Sequence, residues 1–415
     1  MTPIASYRRL FRLAGPLYVV VAFLGRLPLA MAQMGTLLLV AGTTGSYGTG
    51  GAGAGALAVA NALGAPVAGS HADRVGQRRV VLVQSVLGGA GLLALVTLAH
   101  AQVAPWLVVA VAALAGAAMP QIGPLARVRW RPITRNEEHH QPRLMEAAFS
   151  YEGAADEASF VLGPALLGLL VVVASPEAAL VVAASILLVF GGAFALHHTA
   201  RLTHAHRPDA RAGARLVTAA FVVLLLAQLL IGVIFGSIQT GTTVLATDAG
   251  QPGVAGLVHA SLGVGSVVAG LAVAALPPRF TYSSRVLVAA CGLALLSLPL
   301  LVTDTIPRLF AVVLVLGFVV APYMISVFML GERAAPVERV GAAMTLLAGA
   351  TGIGYAVGSA VAGRLADVHG HPGAFAVTVS AAVTAAVLAA ASQPLLRRVG
   401  GPDPRPAAEP ALALP

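Results

Sequence analysis

Between residues 53 and 68 the chain carries no charged side chain, and between 80 and 99 it again carries none. Each tract approaches the ~20 apolar residues that a helix needs to cross a bilayer. Backbone N–H and C=O groups cannot stay unpaired in hydrocarbon, so uncharged tracts of this length become membrane-crossing helices. Between them lies Gly69-Ser70-His71-Ala72-Asp73-Arg74-Val75-Gly76-Gln77-Arg78-Arg79, where the charges of the region are collected. This island reads as a water-side hairpin. Gly76 turns the chain, Arg78 and Arg79 face the cytoplasmic surface, and Asp73 is free to pair or to cap a neighbouring helix.

The whole chain follows the same plan. Only 10% of its 415 residues are charged and 58% are hydrophobic, against about 25% charged residues in a soluble domain. A chain with mean hydropathy +0.88 cannot cover its surface for water and belongs in a bilayer. Abundant small residues, 46 of them glycine, suit close helix packing. The single cysteine, Cys291, excludes an intramolecular disulfide and is expected to be buried in mid-span. The net charge of +9 is no nucleic-acid signal: all 25 basic residues are arginine, and their positions matter more than their sum. The first apolar tract is too long for a cleavable signal peptide and lacks a small-residue cleavage site.

The expected fold is an all-α integral membrane protein with twelve spans. In the first half they run over about 16–41, from 56 to 68, 80–99, 105–125, 145–174 and 178–196, with a Gly/Ser/Thr turn at 42–55 and an arginine-dense polar loop at 127–143. In the second half they run over 216–247, 254–276, 286–302, 309–330, 340–363 and 374–396. Residues 1–196 form one six-helix bundle, 197–215 a solvated cytoplasmic linker, 216–396 a second bundle, and 397–415 a disordered Pro/Ala-rich cytoplasmic tail. With the N-terminus inside, every arginine except Arg26, Arg308 and Arg364 falls on the cytoplasmic side, as the positive-inside rule requires when both termini are cytoplasmic.

The island also resembles the loop between helices two and three of the major facilitator superfamily, the twelve-helix secondary transporters. Gly69, Asp73, Arg74, Gly76 and Arg78 match its pattern, and Arg79 follows; Gln77 stands where a basic residue is usual. The resemblance implies two pseudosymmetric six-helix halves, with Asp73 latching them on the cytoplasmic side. A second stretch, Gly163-Pro164 followed by Gly168, resembles the helix-five motif of the family's antiporters, with Ser159 and Leu167 in place of expected glycines. That motif implies export. The family's helix-four arginine is not found between residues 110 and 116, which leaves the handling of protons to other charges.

Charges within spans are costly and are the best functional pointers. Arg26 lies about 15 Å along span one, near Pro28. Its expected partners are Glu152, Asp156 and Glu157 of span five; Glu152 and Asp156, spaced i, i+4, share a helix face. Glu152 is expected near the interface and solvated, with Asp156 the first and Glu157 the second proton carrier. A static salt bridge explains the same residues equally well. The resemblance places helices one, four, seven and ten around a central cavity. Candidate cargo contacts there are Gln33, Met34, Gln121, Gln228, Gln239, Thr240, Thr243, Tyr323, Met324 and Phe328, with Tyr355 of span eleven. Interhelical packing is the plainer role for most of them.

His197, His198, His204 and His206 in the linker read as a surface tract, so no metal is expected and no cofactor either. Without a lysine there is no P-loop, and no nucleophile sits with a base at helical spacing, so an enzyme is not expected. The expected function is export of small amphiphilic organic molecules by proton antiport through rocker-switch alternating access. The alternatives are a proton-coupled uptake symporter for a sugar or organic anion, or an uncoupled facilitator. Expected partners are the small-molecule substrate, protons and the lipid bilayer, with no nucleic acid and a monomeric chain. The arginine-only, Ala/Gly-rich composition indicates a GC-rich bacterial genome, hence the bacterial inner membrane.

Overall fold

A computed structural model describes residues 2–44, 47–101, 103–137, 139–203, 216–251, 254–277 and 279–399. Among these there are only helices and their connections. Twelve segments are long and apolar enough to cross a membrane. The first six are Pro16–Thr44, Ala52–Val75, Gln77–His100, Pro105–Ile133, Gln141–Val173 and Pro176–Leu196. The second six are Ala219–Asp248, Val254–Val273, Tyr282–Val302, Ile306–Ala334, Val337–Ala366 and Val368–Ala391. A short amphipathic helix, Pro3–Ala14, precedes span one.

The two sets of six pack alike. Span one packs on spans two, five and six, and span seven packs on the helices of spans eleven and twelve. Span two packs on span four as span eight packs on span ten. Between the sets, span two runs along span eleven and span five along span eight. The first of these seams is close because it is lined with glycine. A Cβ on Gly69 would meet the Thr345 side chain and the Gly341 carbonyl. Large side chains would hold these helices apart.

Several boundaries differ from those read in the sequence, each for a local reason. The charged island is not a loop: the helix of span two continues to Val75, span three begins at Gln77, and Gly76 alone, at φ +90°, makes the turn. Only glycine adopts that conformation without strain. The expected turn at 42–55 is already helical from Tyr47. Span four does not stop near residue 125. It breaks at Met119–Gln121, restarts at Ile122 and continues to Ile133, so much of the expected polar loop is helix. Cys291 is exposed on the outside of the bundle rather than buried. The linker starts packed, not solvated: Thr199 and Ala200 are buried within a short 3₁₀ turn. His204, His206 and the rest of 204–215 lie outside the described residues. So does 400–415, whereas Arg397 and Arg398 belong to a terminal helix, Gln393–Val399, not to a disordered tail.

Candidate functional site

Two broken helices position the site. The α-helical hydrogen-bond pattern of span one is interrupted at Gly25 and Arg26, where Gly25 keeps right-handed helical angles and the Arg26 N–H bonds the Phe23 carbonyl three residues back, and it resumes at Leu27, with Pro28 supplying no N–H where none is needed. Span four breaks around Pro120. The carbonyls freed there, on Gly116 and Met119, accept hydrogen bonds from the Asn61 side-chain amide of span two at 2.9 and 3.0 Å. Gln121 in turn donates to Asn61 Oδ1 at 2.6 Å. Irregular backbone at membrane depth survives where protein groups satisfy it in this way.

Beside both breaks lies a four-membered charge cluster. Arg26 donates through Nη2 to Glu152 Oε2, and Trp130 Nε1 donates to Glu152 Oε1 at 2.6 Å. Arg26 Nε lies 3.0 Å from Asp156 Oδ1, and Arg127 Nη2 lies 2.8 Å from Asp156 Oδ2. The Arg127 guanidinium also stacks over Phe328 of span ten, 4.3 Å from the ring centroid. A Cβ on Gly123 would strike the Asp156 carboxylate and come within 3.2 Å of Arg26 Nε, so span four can approach this closely only with glycine there.

The exposures divide the roles. The side chains of Arg26, Arg127 and Glu152 are 4%, 2% and 0% exposed, but that of Asp156 is 22% exposed. Asp156 is therefore the least buried member of the cluster. It is the sixteenth residue of span five, about 22 Å along a helix of 33 residues. Two cations and two carboxylates balance, which satisfies the requirement that buried charges be paired. Donors nevertheless remain: Arg26 Nη1 and Arg127 Nε and Nη1 are buried with no hydrogen-bond partner.

The structure thus joins Arg26, Glu152 and Asp156, as their spacing suggested, but alters two details. Glu152 is fully buried instead of solvated, because Arg26 and Trp130 occupy both its oxygens. Span four supplies an arginine after all, Arg127, further along than residues 110–116. Glu157 stays apart from the cluster, buried at the seam with span eight beside Ser266. Arg127, Trp130 and Gly123 were missed as site residues. The signal for Arg127 was the arginine spacing at 127, 129 and 131 followed by no strong helix breaker before Pro132.

Most of the expected cavity residues make packing contacts. Gln228 is fully buried and accepts from Thr351 at 3.3 Å. Tyr323, also fully buried, donates to the Ala227 carbonyl. Thr240 and Thr243 bond their own helix, and Tyr355 donates to Gln239 at 2.7 Å. Gln33 and Met324 are half-buried, and Met34 is exposed. Gly163 packs against Ala30 of span one beside the in-helix Pro164, while Gly168 has open space around it.

On the arginine-rich face the two sets of spans are joined. Asp73 accepts from the backbone N–H groups of Gly341 and Ala342 at 3.0 and 2.9 Å, capping span eleven. Arg131 forks onto Glu332 at 2.6 and 3.0 Å, and Arg285 pairs with Glu146. Arg131 and Glu332 are each the third residue from the end of their spans, four and ten. Arg74, Arg78 and Arg79 lie around the hairpin, with Arg74, Arg78 and Arg79 exposed. Among the described residues there is no cluster of His, Cys, Asp or Glu able to hold a metal. His197, packed near Tyr18, is pushed down to about 4, chiefly by burial and then by His198 and Arg129.

Comparison with known proteins agrees with this architecture. The family model described as Major Facilitator Superfamily matches residues 16–344 and 224–413. The human organic anion transporter MFSD10 (TETRAN) superposes with a TM-score of 0.70 at 19% identity, covering 90% of this chain and 100% of that one. A bacterial homologue of the iron transporter ferroportin in an outward-facing state superposes at 0.71 with 15% identity, covering 90% and 98%. No curated protein matches the sequence.

Proposed function

The chain belongs to the major facilitator superfamily and is a membrane transporter, and we propose that it exports small amphiphilic organic molecules by proton antiport. The two six-span bundles, residues 1–196 and 216–396, rock about the charge cluster, in the inner membrane of a bacterium with both termini cytoplasmic. One observation carries the reading: the carboxylate of Asp156 is the one partly exposed charge of a cluster whose other members are buried. A proton and a cargo that donates hydrogen bonds compete for the same oxygens, and competition for one site is what antiport requires. Arg26 and Arg127 hold the unprotonated form in place; Glu152 keeps Arg26 oriented. Gly163 and Pro164, at the contact of spans five and one, support the export direction. As a monomer the chain contains the whole site.

A second reading has its own observation. A proton on Asp156 would loosen two guanidinium groups that already carry unpartnered N–H donors. These would suit a carboxylate or phosphate group, so an organic anion would travel with the proton rather than against it. The structurally similar human MFSD10 is an organic anion transporter, which favours this reading.

The sign of proton movement separates them. The full chain is reconstituted in vesicles with a pH gradient, offering a cationic dye, an amphiphilic antibiotic and a small organic carboxylate. Antiport predicts dye or antibiotic flux opposed to proton flux, with the gradient dependence lost in Asp156→Asn. Carboxylate flux parallel to proton flux would replace it with the second reading. Equal fluxes with and without the gradient, in wild type and variant alike, would exclude both.

A further inference from the structure

The helix Pro3–Ala14 is not absorbed by the transport mechanism. It begins with a Thr2 side-chain cap and ends at Gly15, whose φ of +82° turns the chain before span one. Ser6, Leu10 and Ala14, at i, i+4, i+8, are buried. That face packs on span five, and the Phe11 ring meets Tyr151 edge-on at 5.2 Å. Arg9 is held by Glu137. The Tyr7 hydroxyl crosses to the other set of spans and donates to the Leu271 carbonyl of span eight at 2.9 Å. Burial pushes this hydroxyl up to about 12, so it remains a donor at any cellular pH.

A different stripe, Ile4, Arg8 and Arg12, again at i, i+4, i+8, is exposed. Ile4 is 73% exposed, and just beyond Gly15 the outer side of span one continues with exposed Leu17 and Val20. Among the described residues no acid pairs with Arg8 or Arg12. An apolar residue followed by two unpaired arginines, adjoining the lipid-facing side of a span, matches the boundary between acyl chains and anionic headgroups.

We propose that this helix is a strap held by lipid: Arg8 and Arg12 bind headgroups of anionic phospholipids in the leaflet on the arginine-rich face, and the anchored helix ties span five to span eight through Tyr7. When the two halves separate on that face, Tyr7 and the Leu271 carbonyl must part. Anionic lipid therefore favours the state closed there.

Two measurements on the full chain test this. In vesicles of phosphatidylcholine with a spin-labelled phosphatidylglycerol probe, the wild type immobilises the probe more than Arg8→Gln/Arg12→Gln does. The expected difference is several-fold, since each arginine near an anionic leaflet contributes roughly a fivefold preference. It shrinks in high salt. In a Cys291→Ser background, a single Thr345→Cys, buried against Gly69 where the two halves meet on that face, reports closure with Tyr7 intact. Phosphatidylglycerol lowers its labelling by a maleimide, and either the two glutamines or Tyr7→Phe removes that effect. Equal probe immobilisation by wild type and the glutamine variant would overturn lipid binding at these residues. Labelling indifferent to phosphatidylglycerol in the Tyr7-intact protein would overturn the strap.

Discussion

The two halves share one packing plan and differ in what they bury. Spans one to six enclose Arg26, Arg127, Arg129, Glu152 and Asp156 at or near the bundle interior. Away from their ends, spans seven to twelve bury amides and hydroxyls: Gln228, Ser237, Thr242 and Thr378, with Ser237 and Thr378 bonded at 2.7 Å. Their buried charges, Arg285 and Glu332, sit near span ends and face partners in the first half. Pseudosymmetry of the backbone therefore does not extend to its chemistry. The first half holds buried charges in mid-span, and the second half fills that role with uncharged polar side chains.

Substitutions that probe the two halves should diverge. Glu152→Gln leaves Arg26 short of a full charge partner and should destabilise the first half by about 3–5 kcal/mol, the cost of breaking a buried pair. Its neutral counterpart, Gln228→Leu, should be close to neutral or stabilising, because it removes a side chain whose Nε2 has no partner. Thermal unfolding in detergent measures both, and equal losses would erase the distinction. Gly123→Ala should come next. Its methyl collides with the Asp156 carboxylate, so transport should fall by at least about tenfold, a cost of 1.4 kcal/mol or more at the site.

The contacts between the halves sharpen the same contrast. Asp73→Ala removes two charge-assisted bonds to the start of span eleven and should favour the state open on the arginine-rich face by about 1–2 kcal/mol. Thiol labelling of single cysteines on that face would rise. Arg131→Glu should do the same, and Arg131→Glu/Glu332→Arg should restore closure, as their mirrored positions predict. Among the destabilising changes the smallest is expected deep in the second half. Tyr323→Phe loses one hydrogen bond, to the Ala227 carbonyl, worth about 1 kcal/mol.

The span plan was legible because uncharged tracts and arginine placement report the bilayer directly. Arg26, Glu152 and Asp156 were legible as intramembrane charges with helical spacing. Three things were not. Gly76 looked like part of a loop because the helix around it carries polar residues, and only its backbone angle shows a one-residue turn. Arg127 and Arg129 looked like loop cations because desolvation is invisible in sequence: Arg129 is fully buried and bonded to Gln77, Phe194 and Thr199, with no carboxylate partner among the described residues. Tyr323 and Gln228 looked like cargo contacts because helix assignment alone cannot say which side of a helix faces a cavity.

Asn61 joins two of these regions. It stands on span two, twelve residues before Asp73, and its amide grips the break in span four just ahead of Gly123 and Arg127. Span two thus works as a lever, with the cap on span eleven at one end and the grip on span four nearer its middle. A rotation that frees Asp73 pulls on the backbone that carries Arg127. In the proposed transport cycle, parting Asp73 from span eleven and loosening the hold on Asp156 would be one mechanical event, transmitted through a single asparagine.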